Sequence, residues 1–395
     1  LAETLDRLLR AAVTHAGLND EAARFRAALP GDGGDAPETL RTAAARLAAC
    51  RRPVIVCGTA IAPPGLAGLA ADGALLLRAA GKAAGLFYVL PGANAAGAAL
   101  LADPTESVRA VLQAAAGGSV KALVVVESDP LGFFPDRALV EAALGRAELV
   151  AAVDCLDSPT TRRARVLLPT QTVYESGGTF VNNEGRAQES PAVFAGGAPV
   201  LETGAGDHPP RLFGLGLPGS DPRPGWRVLA CLAGDTDAAP GETRPAGLRR
   251  DLLAAAARHP ALRELPAIPE EGVRLELGDA QGRRFEPPAP AAAAGPDEFE
   301  VVVTERTFGT EELSGYSACL RELHEPPFVG LHPADAAALG LREGDRAALR
   351  TPAGALALTV RTFADMAAGV VVVPRLRSAA LPSGGRIKRQ DLRKA

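Results

Sequence analysis

Cysteine is scarce in this chain of 395 residues, which contains five. An iron–sulfur cluster needs several thiolates brought together, usually by spacings as short as C-x-x-C. The shortest interval here runs from Cys50 to Cys57, and Cys155, Cys231 and Cys319 are isolated. This distribution excludes a cluster motif of that type, and the odd number argues against a disulfide framework. We therefore expect a reduced, cytosol-like protein in which Cys57, at the end of an apolar run, is a small core residue.

Histidine is equally rare, and its five positions form no H-x-x-x-H or H-E-x-x-H pair. His324 and His332 lie on either side of Pro326-Pro327, an arrangement more typical of surface or loop residues than of metal ligands. The chain also lacks a G-x-S-x-G nucleophile motif and a Walker loop. We therefore predict no catalytic residue and no metal ligand in this chain.

Long hydrophobic runs and a large net charge are absent as well. The formal net charge is −4, so the composition gives no reason to expect nucleic acid as a partner. The longest apolar stretches, such as Leu66–Leu77, fall short of the ~20 residues that a membrane helix needs. Residue 1 is Leu, and no basic-then-apolar signal segment follows it. We expect an incomplete or processed chain without a membrane span of its own.

What the chain does contain is a series of short β-branched runs, each ended by glycine or a polar residue. Four of them predict buried strands, at Pro53–Gly58, Ala122–Val126, Leu149–Val153 and Arg165–Leu168. Stretches with helical spacing lie between or before them, for example at Glu38–Ala49 and Asp136–Arg146. Continuous apolar strands that alternate with helices predict an α/β fold with a parallel sheet covered on both faces.

The loops that follow these strands form the first candidate site. In open parallel sheets the ligand crevice lies beyond the carboxyl ends of the strands. The loops at that position are Gly58-Thr59, Glu127–Pro130 and Asp154–Ser158. They could hold a nucleotide, or they could be polar simply because they are exposed, and the composition leaves both interpretations open.

The second half of the chain follows a different pattern. Gly and Pro interrupt residues 196–225, a helix is predicted at Gly225–Leu232, and a Pro-rich linker precedes residue 297. Short strands with one small helix and tight turns follow, which predict a closed barrel. The strands are expected at Phe299–Thr304, Phe328–Leu331, Asp345–Arg350, Ala355–Arg361 and Gly369–Val373, and the helix at Ala334–Leu339. We therefore divide the chain into an α/β region (1–120), a second α/β region with a Gly/Pro-rich insert (121–290) and a carboxy-terminal barrel (291–395).

The end of the barrel region is strongly basic. Its seven cations are opposed by Asp391 alone; they are Arg375, Arg377, Arg386, Lys388, Arg389, Arg393 and Lys394. Such a tail could dock onto an acidic neighbouring subunit, or it could be a solvated, partly disordered end. The sequence does not separate the two interpretations.

One segment, LLPTQTVYESGGTFVNNEGRAQ at Leu167–Gln188, resembles the signature of the molybdopterin oxidoreductase superfamily. The residues that match it are Glu175, Gly178, Thr179, Phe180, Asn182, Glu184, Gly185, Arg186 and Gln188. The resemblance implies doubly wound parallel-sheet domains followed by a double-psi β-barrel. The residues themselves predict a rigid loop, with a tight backbone path at Gly177-Gly178 and with charge-assisted bonds from Glu184 and Arg186 that clamp the loop.

Within that superfamily the chain most resembles the G subunits of respiratory NADH:quinone oxidoreductase (complex I). The run LFYVLPGANAAGAALL carries Asn94 and Gly97 at the positions that match this family. The resemblance implies a structural, assembly-supporting part of the peripheral arm, with no redox cofactor and no catalytic residue in this chain. It places the iron–sulfur clusters in a region before residue 1 and in neighbouring subunits. The implied partners are the flavin/NADH-binding and iron–sulfur subunits, on the cytoplasmic side of the bacterial inner membrane.

Departures from the superfamily pattern indicate a lost cofactor. The family's His early in the barrel is missing from Thr304–Thr310, and the Glu of its crevice loop is missing from Ser158-Pro159-Thr160. A pterin dinucleotide needs a fixed set of phosphate donors, so several losses at once point to an empty crevice. The candidates for vestigial crevice residues are Gly58, Asp129, Asp154, Asp157 and Arg306. Two alternatives remain: a fragment of a molybdenum bis-pterin oxidoreductase such as formate dehydrogenase, or an interaction module of a hydrogenase-type complex.

Overall fold

The computed structural model shows two compact units. Unit 1 comprises Leu1–Pro91, Asp279–Leu376 and Leu381–Ala395, and unit 2 lies within Gly92–Gly278. The residues that the structure describes are 2–14, 16–29, 37–59, 65–102, 107–193, 222–234, 262–263, 265, 268–276, 284–286, 295–351, 354–376, 381 and 385–395. The predicted linker lies mostly outside these residues, as does most of the insert at 196–296. The three predicted regions therefore stay a prediction.

Helices and strands alternate in the first part of each unit. The helices are α1 (Ala2–Ala12), α2 (Asp20–Ala28), α3 (Glu38–Ala49), α4 (Leu66–Ala79), α5 (Ala95–Leu101), α6 (Val108–Ala116), α7 (Pro130–Phe133), α8 (Arg137–Arg146), α9 (Gly225–Leu232), α10 (Glu312–Tyr316) and α11 (Pro333–Ala338). Strands β1 to β8 are Val54–Gly58, Gly85–Val89, Ala122–Val126, Leu149–Asp154, Val166–Pro169, Gly178–Val181, Arg186–Ser190 and Val273–Arg274. Strands β9 to β15 are Glu298–Thr304, Phe328–Leu331, Arg346–Thr351, Gly354–Thr362, Val370–Pro374, Arg386–Lys388 and Leu392–Lys394. Short 3-10 turns occupy Thr161–Arg163, Ala318–Leu323 and Arg389–Asp391.

The α/β part of unit 1 is built on the parallel pair β1–β2, with Val54 opposite Gly85 and Gly58 opposite Val89. Helices α1, α2 and α4 surround a core that includes Leu9, Phe25 and Leu76. Helix α1 packs closely on α4, because a Cβ at Gly73 would lie 2.9 Å from Leu9 Cδ1. A glycine inside a helix costs roughly 1 kcal/mol relative to Ala. The close packing of Leu9 against Gly73 offsets this cost.

Strand β1 departs from the sequence prediction. Cys57 is 5% exposed and lies in the core, as expected, but Val54 and Val56 are 63% and 65% exposed. Apolar runs cannot distinguish a strand covered on one face from one covered on both. Within the described residues one face of β1 is therefore exposed, where cover on both faces was expected.

The parallel sheet of unit 2 contains β3, β4 and β5, in that order. Strand β4 lies in the centre and is buried from Val150 to Asp154. Helices α6 and α8 cover one face through a core that includes Leu112 and Val140. Val124 and Leu167 of the flanking strands are 51% and 52% exposed, so full burial was predicted correctly for the central strand alone among these three.

The carboxy-terminal part of unit 1 is a seven-stranded mixed sheet in the order β14-β9-β13-β10-β12-β11-β15. Inward residues from almost every strand meet in one core, including Phe299, Val329, Leu358 and Val371. A sheet whose strands all face one shared core is wrapped around it, which is the arrangement of a small barrel. The predicted barrel strands are confirmed, with bounds within two residues of those expected. The described sheet is open, with β14 and β15 as its two edges, where a closed barrel was expected.

The basic tail forms part of this sheet. Strand β14 pairs with β9 and β15 with β11, and Leu392 is 1% exposed. Arg389 stacks on the Phe299 ring at 4.1 Å and forms an ion pair with Asp335 at 2.8 Å. The interpretation as a solvated, disordered end is therefore wrong for residues 385–395. It failed because charged residues obscure the single buried leucine. Docking onto an acidic neighbour stays a prediction.

Candidate functional site

The strand ends of unit 2 bring several carboxylates together. Val126 pairs with Val153, so the residues that follow, Glu127 and Asp154, lie side by side at the carboxyl edge of the sheet. Asp129 and Asp157 lie in the loops that continue from β3 and β4. Three of the predicted crevice residues, Asp129, Asp154 and Asp157, thus belong to one edge, as expected for a parallel sheet.

Asp129 has a structural role. It is 1% exposed, and its Oδ1 accepts hydrogen bonds from the Thr160 hydroxyl (2.6 Å) and amide (3.2 Å). The Thr160 oxygen in turn accepts from the amide of Leu131 at 3.1 Å. A Cβ at Gly132 would lie 2.3 Å from Asp129 Oδ2. This carboxylate joins the loop after β3 to the loop after β4, and glycine at position 132 leaves room for it.

Asp154 and Asp157 are also occupied within the chain. Asp154 is 5% exposed, and its Oδ1 accepts from the amide of Leu156 at 2.9 Å. Asp157 is exposed and accepts a two-point contact from Arg162, at 2.8 and 2.7 Å. The hydrogen bond from Arg162 lowers the pKa of Asp157, and the positive charge of the guanidinium adds to this effect.

Glu127 was not singled out from the sequence, although its loop was. Its φ of 44° is the left-handed conformation that is uncommon for residues other than glycine. The residue is exposed overall, but partial burial raises the pKa of its carboxyl, and the nearby charge of Asp154 raises it further. Burial and the same two acids raise the pKa of the Cys155 thiol. No sequence signal reports a backbone angle, so this residue could be found only from the structure.

The superfamily signature folds as an antiparallel hairpin of β6 and β7, extended by β8. At its tip the Asn182 Oδ1 accepts from the amides of Glu184 and Arg186, both at 2.9 Å. Arg186 donates to the Glu271 carbonyl at 3.2 Å, which is a charge-assisted bond of the kind expected for this residue. The Asn182 side chain and the Arg186 guanidinium therefore both hold the tip.

Two glycines, Gly177 and Gly97, and one asparagine, Asn94, explain why the hairpin is rigid. A Cβ at Gly177 would lie 2.9 Å from the Ser190 carbonyl, which confirms the tight backbone path. Asn94 reaches the hairpin from the start of α5, where its Oδ1 accepts from the amide of Val181 at 2.8 Å. A Cβ at Gly97 would lie 2.3 Å from that same Oδ1. The matched pair of Asn94 and Gly97 thus anchors the signature hairpin.

The remaining candidates belong to unit 1. Gly58 ends β1, and a Cβ there would meet nothing within 4 Å. Arg306 follows β9; its side chain is 16% exposed and forms an ion pair with Glu325 at 2.5 Å. The same carboxylate pairs with Arg361 at 3.2 Å, and both guanidiniums stack over the Phe328 ring, at 4.7 and 4.8 Å. Sequence reasoning identified Arg306 but not the residues that surround it.

The histidines near this cluster have local roles. The His324 ring lies against Gly309, where a Cβ would approach it to 3.0 Å, and Gly309 has a φ of 88°. His332 Nδ1 accepts from the amide of Ala334 and caps α11. Among the residues with a described position, no group of three or more His, Cys, Asp or Glu side chains is arranged to hold a metal ion. Across the described ranges, every helix is too short or too polar to span a bilayer.

Two family models match the chain. The model of molybdopterin oxidoreductases matches residues 39–198, and that of the molydopterin dinucleotide binding domain matches residues 304–386. Together they include the two parallel sheets, the β6–β7 hairpin and strands β10 to β13 of the barrel sheet, and they confirm the predicted fold class.

The chain is also similar to curated proteins of a narrower group, the G subunits of NADH-quinone oxidoreductase. The one from Pseudomonas putida is 40% identical over 148 residues, which are 38% of this chain and 16% of the relative. The one numbered 2 in Rhizobium meliloti is 28% identical over 70% of the chain and 30% of its own length. The one from Salmonella typhimurium is 26% identical over 88% of the chain and 46% of its own length. The chain therefore spans less than half the length of these relatives.

A solved structure, acetylene hydratase from Pelobacter acetylenicus, is also similar. The two share 17% identity with a TM-score of 0.43, over 67% of this chain and 38% of the other.

Proposed function

Because the chain is a homologue of the G subunits of NADH-quinone oxidoreductase and has the molybdopterin oxidoreductase fold, we propose that it is a structural part of such a subunit. In this role it supports assembly of the peripheral arm and holds no redox cofactor. Electrons pass through iron–sulfur clusters in the part of the subunit outside this chain and in its neighbours. The partners are the flavin/NADH-binding and iron–sulfur subunits, on the cytoplasmic side of the bacterial inner membrane.

The charge of the strand-end loops is the observation that carries this proposal. A pterin dinucleotide brings several phosphates, which need backbone or cationic donors. The loops of unit 2 carry four carboxyl groups, of which those of Glu127 and Asp157 are exposed and those of Asp129 and Asp154 are buried, and Arg162 is already paired with Asp157. In unit 1 the guanidinium of Arg306 is paired with Glu325. The described residues therefore do not fit a polyphosphate ligand, and no chemical step is assigned to one.

Purification of the intact complex through a tag on this polypeptide tests the proposal. We expect a flavin- and NADH-binding subunit to co-purify, together with NADH oxidation, and no molybdenum or tungsten by elemental analysis. A molybdenum enzyme of known metal content, measured in parallel, controls for metal loss. One molybdenum or tungsten per chain would reject the cofactor-free role. Absence of the flavin-binding partner would reject the assignment to complex I.

A further inference from the structure

The arginine pair of the barrel is arranged as a site for an oxyanion. Arg306 and Arg361 both lie over the Phe328 ring, which is 6% exposed, and both contact the same oxygen of Glu325, so their guanidiniums are close together. Arg306 Nη1 is buried without a hydrogen-bond partner among the described atoms. Guanidinium groups bind oxyanions through paired N–H donors, and a buried donor without a partner is costly. The pair thus retains donor capacity that the fold does not use.

A carboxylate of the chain itself lies where such an anion would bind. Glu325 Oε2 contacts Arg306 Nη2 at 2.5 Å and Arg361 Nη1 at 3.2 Å. The Glu325 side chain is 56% exposed, whereas that of Arg306 is 16% exposed. One negative charge shared between two cations leaves the cluster with a net positive charge. An exposed carboxylate is also easier for a ligand to displace than a buried one.

We propose that Glu325 is an internal anion that occupies a two-arginine oxyanion site and closes it to phosphate-type ligands. This inference rests on the proposed cofactor-free function and names the residue that enforces it in the barrel. It predicts that the site is masked rather than lost, because the two guanidiniums and their aromatic support remain in position. Removal of one charge should restore anion binding.

Titration of the full 395-residue chain with inorganic pyrophosphate tests this. Glu325→Gln preserves size and removes the charge, and we expect it to bind pyrophosphate about tenfold more tightly than the unaltered chain. The gain should decrease as ionic strength rises, because the site is partly exposed. Glu305→Gln is the matched control, since it also removes a carboxylate paired with a barrel arginine, Arg375, and should give no gain. The double variant Glu325→Gln/Arg306→Gln should lose the gain.

Three results would overturn the inference: no gain in Glu325→Gln, an equal gain in Glu305→Gln, or a gain that persists without Arg306. Glu325→Ala, with circular dichroism as a check of folding, provides a second variant should the first be unstable. The outcome is separable from the proposed function. A failed titration leaves co-purification with the flavin-binding partner unchanged, and failed co-purification leaves the titration of the isolated chain unchanged.

Discussion

At the scale of single residues, Glu127 combines an unfavourable backbone angle with a partly desolvated carboxyl. Residues held at positive φ without being glycine cost of order 1–3 kcal/mol and persist only where their surroundings enforce them. Gly225 of α9 is one such constraint, since a Cβ there would lie 2.6 Å from Glu127 Oε1. The backbone strain at Glu127 and the contact of its side chain with Gly225 together define the conformation of this loop.

The raised pKa of Glu127 gives a prediction with a definite sign. A carboxyl whose pKa is higher in the folded state stabilises the protein below its ordinary pKa, and this contribution is lost as pH rises through the raised value. The free energy of unfolding attributable to Glu127 should therefore fall between acidic and neutral pH, and Glu127→Gln should remove that fall. Urea unfolding at a series of pH values measures it.

Asp157 is the control for this measurement, because Arg162 lowers its pKa. The stabilisation from Asp157 is present above the ordinary carboxyl pKa and is lost as pH falls. Asp157→Asn should therefore remove a loss of stability at low pH, whereas Glu127→Gln should remove a loss toward neutral pH. Equal profiles for Glu127→Gln and the unaltered chain would contradict the assignment.

Asn94 and Gly97 give a second prediction at this scale. Asn94→Ala leaves the amide of Val181, a residue that is 2% exposed, without its acceptor, at a cost of about 1–3 kcal/mol. Gly97→Ala should also destabilise, because the new methyl group meets Asn94 Oδ1. In the double variant the clash disappears, so the two costs should not add. Additive free energies of unfolding would show that the two residues act independently.

At the scale of elements, one partly buried ion pair joins the turn between the two carboxy-terminal strands to helix α11. Asp335 is 5% exposed, and its Oδ1 accepts from Arg389 while its Oδ2 accepts from the amide of Gly369 at 2.7 Å. Arg389→Ala leaves a buried carboxylate with one partner, so we expect a loss of about 3 kcal/mol in unfolding free energy. Lys394→Ala removes an exposed pair with Asp345 and should cost less than about 1 kcal/mol. Comparable losses in chemical denaturation would argue against a special role for Arg389.

Elements with a strong periodic pattern could be predicted from the sequence, and those defined by distant partners could not. Glu38–Ala49, Gly225–Leu232 and Phe328–Leu331 have the bounds that their apolar spacing indicates. The signature hairpin was expected as a loop, because Gly and Asn disfavour strands locally, and its strands are defined by their pairing with each other and with β8. Strands β14 and β15 were missed for the same reason, since their partners β9 and β11 hold them in the sheet.

At the scale of the whole molecule, the resemblance predicted the fold class correctly but not the contacts within the candidate site. Short motifs are local, and they located Arg306 and the hairpin. Glu325 and Arg361 join Arg306 only through the packing of the barrel, so no spacing in the sequence connects them. Glu127 and Asp154 of unit 2 likewise lie side by side because β3 and β4 are parallel and in register.

The two units have separate cores, which gives a prediction for heat unfolding. One core of unit 1 surrounds Phe299 and Leu358, whereas that of unit 2 surrounds Leu112 and Val140. Chains with distinct cores often unfold in more than one step. Calorimetry should show Arg389→Ala lowering one transition and Asn94→Ala lowering another. A single transition lowered equally by both variants would mean that the units unfold as one.

The barrel sheet has β14 at one edge and β15 at the other, although the two strands are adjacent in sequence. The strands between them are all synthesised earlier. During translation, therefore, the margins of the sheet are β9 and β11, of seven and six residues, until the three-residue strands β14 and β15 are made and pair with them. Unpaired margins are templates for pairing with other chains. A stall before this point would leave the two longer strands as unpaired margins, so the short carboxy-terminal strands reduce the length of edge that could pair with another chain.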